Sequence, residues 1–288
     1  MKIILKFLLL FLLLAMNSFS FAQLSMFKIA QLPEKIYETS GLVFYNEKYL
    51  LTHNDGGNKS ELFVLDLKGN LIKTIEIEDA GNHDWEDLTK DDEGRVYIGD
   101  FGNNSNTREK CQIYILPKDF IEKDKVTPKK ITFSYEDQTE FPPGEENLNF
   151  DCEAFFWKND SLYLFTKCRT IPFTGISNVY VIPAKSGNYA AKKIGSIPLC
   201  STDWRWCSIT AADYSTKLNS AVLLTYSRLY LITGISGNGF WNAKIKSYQL
   251  PVIKQREAIC FKAKNSFYLT DEYKRGLGGG NLYEVKLK

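Results

Sequence analysis

A short cluster of acidic or hydroxyl-bearing residues recurs five times along this chain, each time just ahead of a hydrophobic run. The clusters are Glu38-Thr39-Ser40, Asp84-Trp85-Glu86, Asp151-Cys152-Glu153, Trp206-Cys207-Ser208 and Arg256-Glu257, and their last residues are spaced by 46, 67, 55 and 49 positions. A recurrence near fifty residues marks a repeat architecture. Turn-forming residues divide each repeat into short apolar or alternating runs of strand character. The first repeat reads as strands at 41–45, 48–52, 61–67 and 71–77, and the second at 87–90, 95–99, 112–116 and 130–135. The third follows with 154–157, 161–166, 178–182 and 191–197, and the fourth with 209–213, 220–225, 228–233 and 243–250. The fifth has only 258–262, 266–270 and 281–286, while an unassigned apolar segment, 25–31, stands ahead of the first repeat.

Four-stranded units at this period predict an all-β chain, a five-bladed β-propeller of antiparallel blades in which the N-terminal strand completes the last blade. The long second step contains the Pro-, Gly- and Glu-rich stretch 137–150, which reads as an inserted surface loop. A six-bladed form, like the lactonase and phytase calcium propellers, would need a further repeat there. Residues 23–288 are expected to form one domain.

Residues 1–22 read as a secretory signal peptide: Lys2 and Lys6, an apolar stretch at 3–15, then Ser20-Phe21-Ala22 as the cleavage site. The chain is therefore expected to be exported, to a periplasm or outside the cell. No later run reaches the roughly 20 apolar residues of a membrane-spanning helix. Of the 36 Lys and Arg, two lie in the leader, which leaves 34 against 34 Asp and Glu. That neutral balance, with lysine pairs such as Lys129-Lys130 standing alone, argues against a nucleic-acid partner. Six cysteines in an oxidising compartment are expected to give one or two disulfides and some buried thiols. With no CxxC pair and only His53 and His83, zinc has no support.

In a propeller the first strand of each blade lines the central channel, so Ser40, Glu86, Glu153, Ser208 and Glu257 should meet near its mouth. Two unit charges about 4 Å apart repel by roughly 4 kcal/mol at an effective dielectric near 20. Three glutamates so placed require protons or a cation, and hard oxygen donors suit Ca2+.

The order Ser, Glu, Glu, Ser, Glu, one per repeat, resembles the central ring of the calcium-activated nucleotidase (apyrase) family of five-bladed propellers. The matching segments are Glu38-Thr39-Ser40-Gly41-Leu42-Val43-Phe44, Asp84-Trp85-Glu86, Asp151-Cys152-Glu153-Ala154, Cys207-Ser208-Ile209 and Glu257-Ala258-Ile259-Cys260-Phe261. The resemblance implies calcium as the metal and a nucleoside di- or triphosphate as substrate. It departs where the family carries Asp-Asp-Arg-Thr-Gly and this chain has His53-Asn54-Asp55-Gly56-Gly57, and again where Gly-Lys-Glu-Trp is replaced by Gly102-Asn103-Asn104-Ser105. Two family cations are thereby missing.

The ends of the second strands should share the ring's face. They offer Asp55 and Asp100 to position water, and Lys167, Arg169 and Arg228 to hold phosphoryl oxygens. Trp204 and Trp206 are expected to pack between blades. Two functions follow: a metal-dependent phosphohydrolase acting on a nucleotide or other phosphate ester, or a non-catalytic propeller with structural calcium that binds a protein or glycan partner.

Overall fold

The computed structural model describes residues 24–236 and 243–288; the leader expected at 1–22 lies outside them. The chain opens with β1 (Leu24–Gln31), then β2 (Thr39–Tyr45), β3 (Tyr49–Asn54), β4 (Glu61–Leu65) and β5 (Leu71–Ile77). Next come β6 (Trp85–Lys90), β7 (Val96–Asp100), β8 (Cys111–Ile115), the two-residue β9 (Lys125–Val126) and β10 (Lys129–Tyr135). They are followed by β11 (Asp151–Lys158), β12 (Ser161–Lys167), β13 (Ile176–Pro183) and β14 (Gly187–Pro198). After a helical turn, Trp204–Cys207, come β15 (Ile209–Ser215), β16 (Ser220–Thr225), β17 (Arg228–Thr233) and β18 (Lys244–Gln249). The last three are β19 (Arg256–Ala263), β20 (Ser266–Asp271) and β21 (Asn281–Leu287).

The strands form antiparallel meanders. β2 to β5 and β15 to β18 each run in sequence order, and β19, β20 and β21 are completed by β1, which pairs antiparallel to β21 from Leu24↔Leu287 to Gln31↔Asn281. Two features differ from separate four-stranded sheets. β10 and β14 pair in parallel, joining β6, β7, β8 and β10 to β11 to β14 as one eight-stranded sheet. β9 adds a fifth strand in parallel to β5. Both joins are made at the outermost strand of a meander, where unpaired backbone groups are free to accept a neighbour.

Burial follows position in each meander. All eight residues of β11 are buried and six of the seven in β2, whereas the outer strand β10 alternates, with Ile131, Phe133 and Tyr135 inward. Continuous apolar runs suit strands covered on both faces, and period-two runs suit strands covered on one. The β11–β12 hairpin turns through Asn159 and Asp160, both at positive φ, as a two-residue loop requires. The innermost strands close a ring: β2 contacts β6, β6 contacts β11, β11 contacts β15, β15 contacts β19, and β19 contacts β2. Apolar clusters fill the space between successive meanders, as where Val43 and Leu51 meet Trp85 and Ile98.

Candidate functional site

Each innermost strand has an irregularity near its start. The register with the second strand slips at Glu86 in β6, Glu153 in β11, Thr210 in β15 and Glu257 in β19, and across Gly41-Leu42 in β2. A bulge leaves one residue out of the ladder and re-aims its side chain. Glu86, Glu153 and Glu257 are thereby turned into a common cavity of about 770 Å³.

The two serines take other positions. Ser40 Oγ donates to the Glu86 carbonyl at 2.6 Å, stitching β2 to β6. Ser208 precedes β15, and the bulge of that strand falls two residues later, at Thr210, whose hydroxyl donates to the Arg256 carbonyl at 2.7 Å. The cavity therefore gathers the three glutamates without either serine.

Lys167, at the end of β12, stands between them. Its ammonium lies 2.9 Å from Glu153 Oε1 and over the ring of Tyr226, and the Tyr226 hydroxyl donates to Glu257 Oε1 at 3.0 Å. Burial opposes the charge on Lys167, but Glu153, Tyr226 and Glu257 hold its ammonium well above the ordinary lysine range. Arg169 bonds Asp151 Oδ2 at 2.6 Å, lies 3.3 Å from Glu153 Oε1 and also reaches Asn104. The inserted loop braces this corner, with Arg169 N donating to the Leu148 carbonyl and Ile171 N to that of Glu145.

A second acidic group adjoins the first through Glu86, where Asp55, Asp84 and Glu86 bring carboxylate oxygens within 4.8 Å of one another. Asp55 follows β3, and Asn58 and Asn82 donate to its carbonyl. Asp84 is fixed through Asp100, whose carboxylate accepts from Asp84 N at 3.1 Å and bridges to Arg108 and His83. Gly56 and Gly102 make room: a Cβ at Gly56 would run into Asp84, and one at Gly102 into both Asp84 and Glu86. Burial, then the neighbouring acids, push Asp55 and Asp84 up to about 6 and Glu86 well above the carboxylate range. Burial likewise raises Glu257 to about 7 and Glu272 to about 9.

Of the residues expected from sequence to do chemistry, Asp55, Lys167 and Arg169 line the cavity with the three glutamates. Asp100 is fully buried behind Asp84, and Arg228 lies outside the lining. Tyr226 and Glu272, at second-strand ends expected on this face, and Asp84, in the second cluster, were given no role of their own from sequence. Asp84 had a signal, because Asp84-Trp85-Glu86 and Asp151-Cys152-Glu153 place an acid two residues before each glutamate. Trp204 and Trp206 do not pack between meanders: they are exposed, on a short turn closed by the Cys200–Cys207 disulfide, with Trp204 at the cavity mouth. Cys111, Cys152, Cys168 and Cys260 are buried free thiols.

The chain matches no protein-family model and no curated protein sequence. Its fold is similar to the PQQ-bound aldose sugar dehydrogenase of Streptomyces coelicolor, with a TM-score of 0.50 and 12% identity over 93% of this chain and 99% of that one. This is a fold of the propeller kind. Also similar are a putative oxidoreductase (glucose dehydrogenase) from Thermus thermophilus, with a TM-score of 0.48 and 11% identity over 92% of this chain and 100% of that one, and a streptogramin B lyase, with a TM-score of 0.44 and 11% identity over 92% and 98%. At these identities the likeness concerns the fold alone.

Proposed function

We propose that the chain is a five-bladed propeller that holds a calcium ion at Asp55, Asp84 and Glu86 and hydrolyses a phosphate ester in the adjoining cavity. The observation that carries this reading is the convergence of those three carboxylates beside Lys167 and Arg169. The donors are hard oxygens, which suit a calcium ion with water completing six to eight ligands. Glycines at positions 56 and 102 leave the carboxylates a cradle that any larger residue would fill. The ion would lie toward the first two meanders, because Lys167 already neutralises part of the charge at Glu153 and Glu257.

When bound, the ion would supply charge stabilisation for phosphoryl oxygens. Lys167 and Arg169 would hold the remaining anionic oxygens, oriented by Glu153 and Asp151. Glu257, raised to about 7, is suited to accept a proton from water near neutral pH. The test is calorimetric titration of the protein with calcium, together with assays on nucleoside diphosphates and simple phosphomonoesters. Calcium-dependent turnover that Glu257→Gln and Asp84→Asn each abolish is expected. Inertness of the calcium-loaded protein toward the whole panel would sink the enzymatic reading.

One observation favours the alternative, a non-catalytic propeller with structural calcium that binds a protein or glycan partner: Lys167 and Arg169 are both engaged by buried carboxylates. Stabilisation by calcium without turnover is the outcome that selects it. We further propose export through the leader at 1–22, which the Cys200–Cys207 disulfide supports, since such bonds persist in oxidising compartments. Among the described residues no helix is long and apolar enough to cross a membrane.

A further inference from the structure

The cavity changes character from floor to mouth. Glu86, Glu153, Lys167 and Glu257 form a charged, buried floor. The mouth is bordered by Trp204, Val252, Ile253 and Leu277, which are 51%, 75%, 40% and 82% exposed. They come from three separate connections: the disulfide-closed turn before β15, the segment between β18 and β19, and the loop between β20 and β21. Single exposed apolar side chains are ordinary on a surface, but several from unrelated loops around one opening mark a binding surface. The volume, about 770 Å³, is that of a site for a drug-sized ligand, well beyond a lone phosphate group.

We propose that the site takes an amphiphilic phosphate ester, with its phosphoryl group toward the charged floor and an apolar chain laid across Trp204, Val252, Ile253 and Leu277. The proposal rests on the phosphoester reading of the floor and adds the class of the esterified group. Each of the three loops also carries a cation at the cavity: Arg205, paired with Asp203, Lys254, paired with Asp271, and Lys274, toward which an anionic headgroup would pass through the apolar collar.

The test uses two series of growing chain length, n-alkyl phosphates for turnover and non-hydrolysable n-alkyl phosphonates for binding, both in calcium buffer. Phosphonate affinity should rise about three- to four-fold per methylene until the collar is covered, then level off. Trp204→Ala combined with Leu277→Ala should flatten that slope at unchanged melting temperature. Affinity independent of chain length overturns the proposal, even if short phosphates are hydrolysed. Chain-length-dependent phosphonate binding with no hydrolysis supports the collar and overturns the phosphohydrolase reading instead. A slope unaltered in the double variant places the chain elsewhere and overturns the proposal.

Discussion

Lys167 is the residue on which the electrostatics of the cavity turn. It is buried beside Glu153, within reach of the field of Glu257. Removing one partner of a buried pair leaves the other charge uncompensated, at a cost of about 3–5 kcal/mol, whereas removing both is far milder. Lys167→Met should therefore destabilise the protein by up to about that amount, less whatever Arg169, 3.3 Å from Glu153, still offsets, and Lys167→Met with Glu153→Gln should recover most of the loss; urea unfolding of the two variants decides. Asp213 allows a test by pH. Its carboxylate is buried in β15 and accepts from Phe261 N and Tyr214 N, and burial lifts it from 3.8 to about 6. Because the folded state holds this proton more tightly, its contribution to stability is complete below about 3.8 and is lost as pH rises through about 6. The cost of Asp213→Asn should accordingly shrink between pH 4 and pH 7, by on the order of 3 kcal/mol. A constant difference in urea midpoint across that range would contradict it. At this scale the sequence put the acids and the cations Lys167 and Arg169 on one face, without showing which pairs with which. The recurrence of a glutamate ahead of a strand is visible in one dimension, but that Lys167 would meet Glu153 and Glu257 depends on where β12 ends relative to β11 and β19.

Among the elements, the innermost strands are tied by side chains reaching across to foreign backbone. Asp87 in β6 is the clearest case: its Oδ2 accepts from Phe155 N of β11 at 3.1 Å and from Ala212 N of β15 at 3.2 Å. One carboxyl thus connects three strands of the ring. Asp87→Ala should leave both amides buried without an acceptor, at roughly 1–3 kcal/mol each. Amide hydrogen exchange should accelerate first at Phe155 and Ala212, and unchanged protection there would show that the tie is dispensable. Strand positions were largely legible from turn residues and apolar runs, down to the hairpin at Asn159-Asp160. What escaped has a common cause: the bulges, the parallel β10–β14 join and the β9 addition depend on pairing between segments, and a single strand's composition does not encode its partner. The fourth cluster shows the consequence. Trp206-Cys207-Ser208 has the right spacing, yet the helical turn and disulfide displace the strand start, so the bulge falls at Thr210.

The molecule as a whole is closed by its N-terminal strand, and that closure was readable because the last repeat lacked a strand while 25–31 had no other partner. The acidic group at the cavity joins two successive meanders within that closed ring: Asp55 comes from the meander of β2 to β5, Asp84 and Glu86 from the next. A cation held between them would link the two, so its effect should be global. Without a cation the repulsion and desolvation of these carboxylates oppose folding; with calcium at a hundred times its Kd, linkage supplies about 2.7 kcal/mol of stability. For a chain of this size that corresponds to a rise in melting temperature of roughly 5–10 °C over the chelator-treated protein. Because the ligands must be deprotonated to bind, and Asp55 and Asp84 are raised to about 6, the rise should be large at pH 8 and small at pH 5. Asp84→Asn should remove the rise at both pH values while sparing the chelated protein, since burial and the nearby Asp151 and Asp100 already disfavour the charge it deletes. Differential scanning calorimetry with calcium and with chelator checks each arm, and equal melting temperatures at pH 8 would exclude a cation from this acidic group.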